Sequence, residues 1–305
     1  MPKSDLDMPN YEVFLVGRYF CDLVFTDLPE FPRLGHEVYS GGFNLVPGGV
    51  YTPAVALQRL GVRVAWPCQF GSDPFSQYVK EQAINEGVDS TFFEDINDPS
   101  LRITAAFSFE NERAFLSYTD PLPKYSYGQL IRDLRPKWVY ITHLVLGGEL
   151  DGLVSAARSI GAKIYMDCQA HAHSLNDPNI QGALQKVDVF SPNADEARKL
   201  TGKKELNEAL KELSSYAQAV IIKDGSSGCH YQDANETNHE VGITVDVVDT
   251  TGAGDNFNCG FLFGQVRGFN VQKSLRIANI CGGLSTEGYG GTAASPTEEV
   301  IIDMY

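Results

Sequence analysis

No stretch of the 305 residues approaches the roughly 18 consecutive apolar positions that a membrane-spanning helix requires. The first ten residues are polar and hold no apolar signal core, so the expected location is cytoplasmic, away from any membrane. Cations are scarce: 24 Lys and Arg stand against 39 Asp and Glu, a net charge of −15. That balance argues against nucleic acid or an anionic membrane surface as a partner. The six cysteines, Cys21, Cys68, Cys168, Cys229, Cys259 and Cys281, form no CxxC pair. Core thiols are therefore expected in place of zinc ligands or disulfides. The histidines form no HExxH pattern, and His171 and His173 flank only an alanine, so they read as loop residues. The sequon Asn235-Glu236-Thr237, with no secretory signal, reads as a polar loop. A GxxxxGKS/T loop and an HRD or DFG set are also lacking, which leaves two widespread phosphate-transfer architectures unsupported.

What is present is an ordinary globular composition, 43% hydrophobic. The length suits one large α/β domain or two small ones. The most informative stretch is Asp249-Thr250-Thr251-Gly252-Ala253-Gly254-Asp255, followed by an apolar run over 257–263. Val245, Val247 and Val248 before it read as a buried strand and the residues after it as a helix, so the glycines mark a tight strand-to-helix turn. The first amides of a helix lack intrahelical partners and carry the positive end of its dipole, which suits a phosphate. An acid at Asp255 would repel that guest. It is better explained as a base that takes a proton from an attacking hydroxyl, although a helix-capping role for Asp249 or Asp255 stays open on these residues alone.

The longer string DTTGAGDNFNCGF resembles the C-terminal signature of the ribokinase-like (PfkB) carbohydrate kinases. The resemblance implies that Gly252, Ala253 and Gly254 form an anion hole and that Asp255 is the catalytic base. Other stretches agree in family order. A first strand over 11–16 closes at Gly17, and Asp22 follows where open α/β sheets gather ligands; the resemblance makes it a holder of sugar hydroxyls, against the plainer reading of a surface loop carboxylate. Gly48-Gly49-Val50-Tyr51-Thr52-Pro53 precedes an amphipathic run over 54–60, and Thr before Pro reads as an N-cap with the first helical residue. The motif resembles the family's GG signature, implying a substrate role for Gly48, Gly49 and Thr52. Thr52 stands where most members carry Asn, and a hydroxyl has shorter reach and fewer bonds than an amide. Asp73, in a turn like the family's GxDxFG, is expected to cap the next helix.

Farther on, strand–helix units recur: 138–146 with 150–160, 162–166 ending at Asp167, 187–190 and 219–222. Alternation of this kind means a doubly wound, mostly parallel α/β sheet with its site at the strand ends. The segments 34–47 and 101–119, the latter around a polar turn at Glu110-Asn111-Glu112, break that rhythm. The resemblance makes them a small β-sheet lid inserted in a single kinase domain spanning 1–305, and a homodimer through the lid follows, since an exposed sheet needs covering. Asn193 and Glu196 share one face of a first helical turn; they resemble the family's NxxE motif, tied to magnesium and phosphate, while a plain capping box fits the spacing equally. Lys223, Gly225 and Gly228 resemble the nucleotide loop, and Asn279 an adenine-side contact. Gly290 to Pro296 resembles the loop that, with the strand end, binds a monovalent cation in some members. Asp249, Thr251, Gly291 and Ser295 are the candidates here.

The combined expectation is an ATP- and magnesium-dependent kinase, with potassium as a possible activator, acting on a hydroxymethyl group of a sugar or related polyol. A nucleoside kinase of the same fold and a catalytically idle sugar or nucleotide sensor stay open as alternatives.

Overall fold

The computed structural model describes residues 10–109, 112–121, 126–169 and 174–305. Glu110, Asn111, His171 and His173, singled out above, lie outside the described residues. The chain opens with strand β1 (Val13–Val16), buried along its whole length. Strand β2 (Tyr19–Thr26) and strand β3 (Gly42–Gly49) follow, then helix α1 (Tyr51–Arg59). Strands β4 (Val64–Ala65) and β5 (Cys68–Phe70), helix α2 (Pro74–Asn85), and strands β6 (Phe93–Asp95), β7 (Arg102–Phe109) and β8 (Glu112–Thr119) complete the first part. The α/β rhythm then takes over: α3 (Tyr127–Leu134), β9 (Trp138–Ile141), α4 (Gly147–Ser159), β10 (Lys163–Asp167), α5 (Pro178–Leu184) and β11 (Val189–Ser191). After α6 (Ala194–Thr201) and α7 (Leu206–Leu213) come β12 (Ala219–Lys223), β13 (Cys229–Asp233) and β14 (Thr237–Glu240). Helices α8 (Ala253–Val266), α9 (Val271–Leu284) and α10 (Glu298–Ile302) close the chain.

The main sheet runs β14-β13-β12-β11-β10-β9-β1-β4. It is parallel from β4 through β12 and antiparallel in its last two strands. Helices cover both faces, which is why these strands read as unbroken apolar runs. Alternation along β1 divides the core in two: Val13 and Leu15 pack with Leu57, Phe261 and Leu275 on one face, while Phe14 and Val16 pack with Ile131, Leu150 and Ile180 on the other. Each such side chain contributes about 1.5–3 kcal/mol when fully buried. All six cysteines are buried and free, as their apolar settings imply. Among the described residues no helix is long and apolar enough to cross a membrane.

The second sheet, β3-β2-β7-β8, differs from expectation in its make-up. Residues 34–41 contribute no strand, and β2, taken above for the loop carrying Asp22, is one of its two central strands. Acids are depleted in strands, so Asp22 hid the pattern. Two other expectations also fail. Residues 245–248 form no strand, and Val247 and Val248 are 59% and 46% exposed. Thr52 is not a cap: α1 begins at Tyr51 with Val50 before it, and Thr52 is buried inside the first turn. Asp73 does cap α2, accepting from the Ser76 amide at 2.9 Å and holding the Ser100 amide at the same distance.

Candidate active site

At the start of α8, Gly252 adopts φ +73°, a conformation glycine takes without strain. Packing demands glycine as well. A β-carbon there would stand 2.6 Å from Gly291 Cα and 3.1 Å from the Thr52 methyl. No side chain caps α8, and with the Ala253 amide on the Thr250 carbonyl at 3.3 Å, Gly254 and Asp255 offer the first amides a ligand could meet. The turn is laced to the 290–295 loop by Asn256, whose amide nitrogen donates to the carbonyls of Gly252 (2.9 Å) and Gly291 (2.8 Å) while its oxygen accepts from the Ser295 hydroxyl. Asp249 closes the other side, accepting from the amides of Thr251 (2.8 Å) and Gly290 (2.9 Å). Arg59 donates to the Thr292 and Ser295 carbonyls while paired with Glu86 at 2.8 Å. The structure thus gathers Asp249, Thr251, Gly291 and Ser295 around the turn. Asp249, Gly291 and Ser295 all serve internal hydrogen bonds there, as does the Thr251 amide.

Asp255 is half-buried in the first turn of α8. Burial pushes its carboxyl up to about 7; nearby Asp167 and Glu196 add to the rise and Lys223 opposes it. Lys223 reaches the site from the end of β12, its ammonium 2.8 Å from Asp167 at the end of β10. It also stands 3.4 Å from where a β-carbon on Gly254 would lie. Beneath them Asn258 donates to Asp167 (2.7 Å) and to the Tyr140 hydroxyl (2.9 Å), and accepts from Tyr165 (2.7 Å) and Ser191 (3.1 Å). A fully satisfied polar network in a low-dielectric floor holds its members in one arrangement. Sequence reading missed Asp167, Asn258, Tyr140 and Tyr165. The one available signal was an asparagine inside the otherwise apolar run of α8.

A cleft of about 770 Å³ runs along this floor, and Asn193, Glu196, Lys223, Gly225, Gly228, Gly252 to Asp255 and Asn279 all line it. Ile243, Val245 and Phe257 supply its apolar wall. Asn193 and Glu196 form the reciprocal capping box of α6, at 2.9 and 2.8 Å, so the plainer reading of that pair is realised inside the cleft. The Asn279 side-chain nitrogen is committed to the carbonyls of Glu240 and Val241. Gly228, at φ +95°, lies against Glu240, whose oxygen would be 2.0 Å from an added β-carbon. Asp22, Gly48, Gly49 and Thr52 are not part of this cleft wall. Asp22 faces the second sheet, its carboxyl pushed up to about 6 by burial against a lowering hydrogen bond from Thr104. Gly48 makes room for it, since a β-carbon there would stand 2.5 Å from Asp22 Oδ2. Thr52 packs between Gly252 and Gly291, joining α1 to the turn.

The sequence profile of the pfkB family carbohydrate kinase matches residues 13–298. Ribokinase of Bacillus subtilis is 25% identical, over 96% of this chain and 98% of its own. Probable fructokinase-4 of Arabidopsis thaliana is 29% identical, over 86% and 88%. Among solved structures, Arabidopsis thaliana ribokinase complexed with ribose and ATP superposes with a TM-score of 0.83 at 18% identity, covering 97% and 99% of the two chains.

Proposed function

Because the chain belongs to the pfkB family of carbohydrate kinases, we propose that this ATP-dependent phosphotransferase acts on a hydroxymethyl group of a sugar or related polyol, with Asp255 as general base. The observation that carries the reading is Asp255 itself, a carboxyl pushed up to about 7 at the uncapped start of α8. A base near the working pH is both unprotonated in part and able to hold a proton.

In the reaction the acceptor oxygen attacks the γ-phosphorus of ATP. A new O–P bond forms, the bond from phosphorus to the β,γ-bridging oxygen breaks, and ADP leaves with that electron pair. Asp255 takes the hydroxyl proton as the oxygen becomes nucleophilic. The amides of the Gly252–Gly254 turn point at the transferring phosphoryl group, and Lys223, held by Asp167, adds a fixed positive charge. Asp22, with Gly48 beneath it, orients the acceptor. Thr52 acts behind the turn, filling the gap between Gly252 and Gly291.

The residues fit a magnesium ion that arrives with the nucleotide: Glu196, an acid on the cleft wall, would meet the ion through water. When bound, the ion neutralises phosphate charge. A monovalent cation at Asp249, Thr251, Gly291 and Ser295 belongs to the same proposal. With the turn already closed by internal bonds, the ion would tune it and not build it.

The test is a panel of sugars, polyols and nucleosides assayed for ADP release with magnesium present. Turnover of one hydroxymethyl acceptor, lowered about 100-fold or more in Asp255→Asn with nucleotide affinity retained, is the expected result. Binding with no turnover of any acceptor would sink the reading.

A further inference from the structure

A second cavity, of about 750 Å³, opens away from the nucleotide cleft, between the end of β1, strands β5 and β7, and the first turns of α3 and α4. Its charge is one-sided. Arg18, Arg102 and Arg132 line it, against one carboxylate, Glu149.

Arg102 is the telling member. It is 4% exposed, and its guanidinium lies 4.2 Å over the Tyr19 ring. Its terminal nitrogens donate to neutral oxygens, the Gln69 carbonyl at 3.3 Å and the Ser100 hydroxyl at 3.1 Å, and the neutral Cys68 thiol lies beside it. Among the described residues Nε has no hydrogen-bond partner. Among the described residues no carboxylate is paired with it, the nearest acid, Asp73, being held by the Ser76 and Ser100 amides; a buried cation lacking an ion pair is costly, and a guanidinium is shaped to grip carboxylate or phosphate.

The helices add to the same field. Ser126 makes no side-chain cap at the start of α3, and Leu146 offers none at the start of α4. Both first turns border the cavity through Tyr127, Gly128, Gly148 and Glu149. Two helix starts without side-chain caps favour an anion between them through the positive ends of their dipoles. A β-carbon on Gly148 or Gly152 would meet nothing within 4 Å, so the walls there are open.

We propose that this cavity binds the anionic group of a small molecule, a phosphate or a carboxylate, completing the charge of Arg102 with Arg18 and Arg132. Its volume suits a metabolite-sized ligand. Position points to the acceptor side: Arg102 lies two residues from Thr104 on the same face of β7, and Thr104 pairs with Asp22 across the sheet. The anion is thus a charged substituent of the acceptor or a separate effector bound beside it. The first source rests on the kinase reading above; the site itself does not.

The experiment titrates orthophosphate calorimetrically into the full chain saturated with magnesium and a non-hydrolysable ATP analogue, which keeps the nucleotide cleft filled. One phosphate per chain is expected, with affinity weakened at least about tenfold in Arg18→Gln/Arg132→Gln. Both substituted side chains are exposed, so the fold and nucleotide affinity should be unchanged. Arg102→Gln should weaken phosphate as well. No phosphate binding to the saturated protein, or equal affinity in the double variant, overturns the proposal. Kinetics then separate the sources, using neutral sugars, sugar phosphates and sugar acids. A raised KM at unchanged kcat for a charged acceptor in the double variant identifies the acceptor, whereas an unconsumed anion that changes the rate on a neutral sugar identifies an effector. Phosphate binding intact with no acceptor turned over would refute the kinase reading and leave the anion site standing.

Discussion

The floor of the nucleotide cleft and the small sheet are built on opposite plans. In the floor, Asp167, Lys223 and Asn258 are buried or nearly so and bonded to one another, with Tyr140, Tyr165 and Ser191 closing the network. In the small sheet, the edge strand β8 leaves Phe115 64%, Leu116 71% and Tyr118 54% exposed, and Phe43 on β3 is 54% exposed. Neighbours Phe115 and Leu116 point to opposite faces, so neither face of that strand is covered. The contrast separates two duties. Phosphoryl transfer needs groups held within fractions of an ångström, whereas an exposed apolar row such as that on β8 and β3 is left free to meet a ligand or another chain.

The sharpest way to break that division is at Asp255. Asp255→Asn should lower turnover by a factor of about 100 or more, measured as kcat at saturating ATP. In the parent enzyme kcat/KM should fall below a midpoint near pH 7, as the raised carboxyl gains its proton. The stability sign follows from the same shift. A carboxyl raised in the folded state binds more protons than in the unfolded chain between about pH 4 and 7, so its contribution falls as pH rises through that window. Asp255→Asn should therefore raise the Tm at pH 8 and leave it nearly unchanged at pH 4.

Next in size is Asp167→Asn. Removing one partner of a buried pair should cost about 3 kcal/mol, read by chemical denaturation. It should also move the acid limb of the pH–rate profile to lower pH, because a charge that raises Asp255 is gone and Lys223 is left to lower it. An unmoved acid limb would show that the floor does not set the base.

On the small sheet, the exposed row predicts self-association. Leu116→Glu should convert a dimer to a monomer in sedimentation, with turnover within about twofold, since charges on an edge strand oppose pairing. A parent protein that sediments as a monomer would remove the dimer from this account. The smallest effect is expected from potassium. Replacing it with a bulky tetraalkylammonium at constant ionic strength should slow the initial rate only a few-fold, because Asp249, Gly291 and Ser295 are already hydrogen-bonded. Equal rates in the two salts would dispense with the cation.

Local patterns were legible in the sequence where one short segment holds all the information. Asp73 capping α2, the glycine turn before α8 and the Asn193/Glu196 spacing belong to that class. Hydropathy misled at 245–248, because Val245 and Val247 face the cleft, and an apolar wall uses the same residues as an apolar core. It misled again at β2, where Asp22 breaks the apolar pattern in the middle of a continuous strand, paired with Val46 and Thr104. The polar floor was illegible for another reason: Lys223 lies 56 residues from Asp167, and Asn258 lies 91 from it. Only the packed sheet brings them together.

The lacing of Gly252 and Asn256 to Gly291 and Ser295 has a bearing on how the protein is made. Strand β1 and the Asp22 sheet leave the ribosome first, and the main sheet can pair as its strands emerge. The glycine turn lacks its bonds to Gly291 and Ser295 until that loop has been made and meets Asn256. Some of the last residues to be made therefore complete the start of α8.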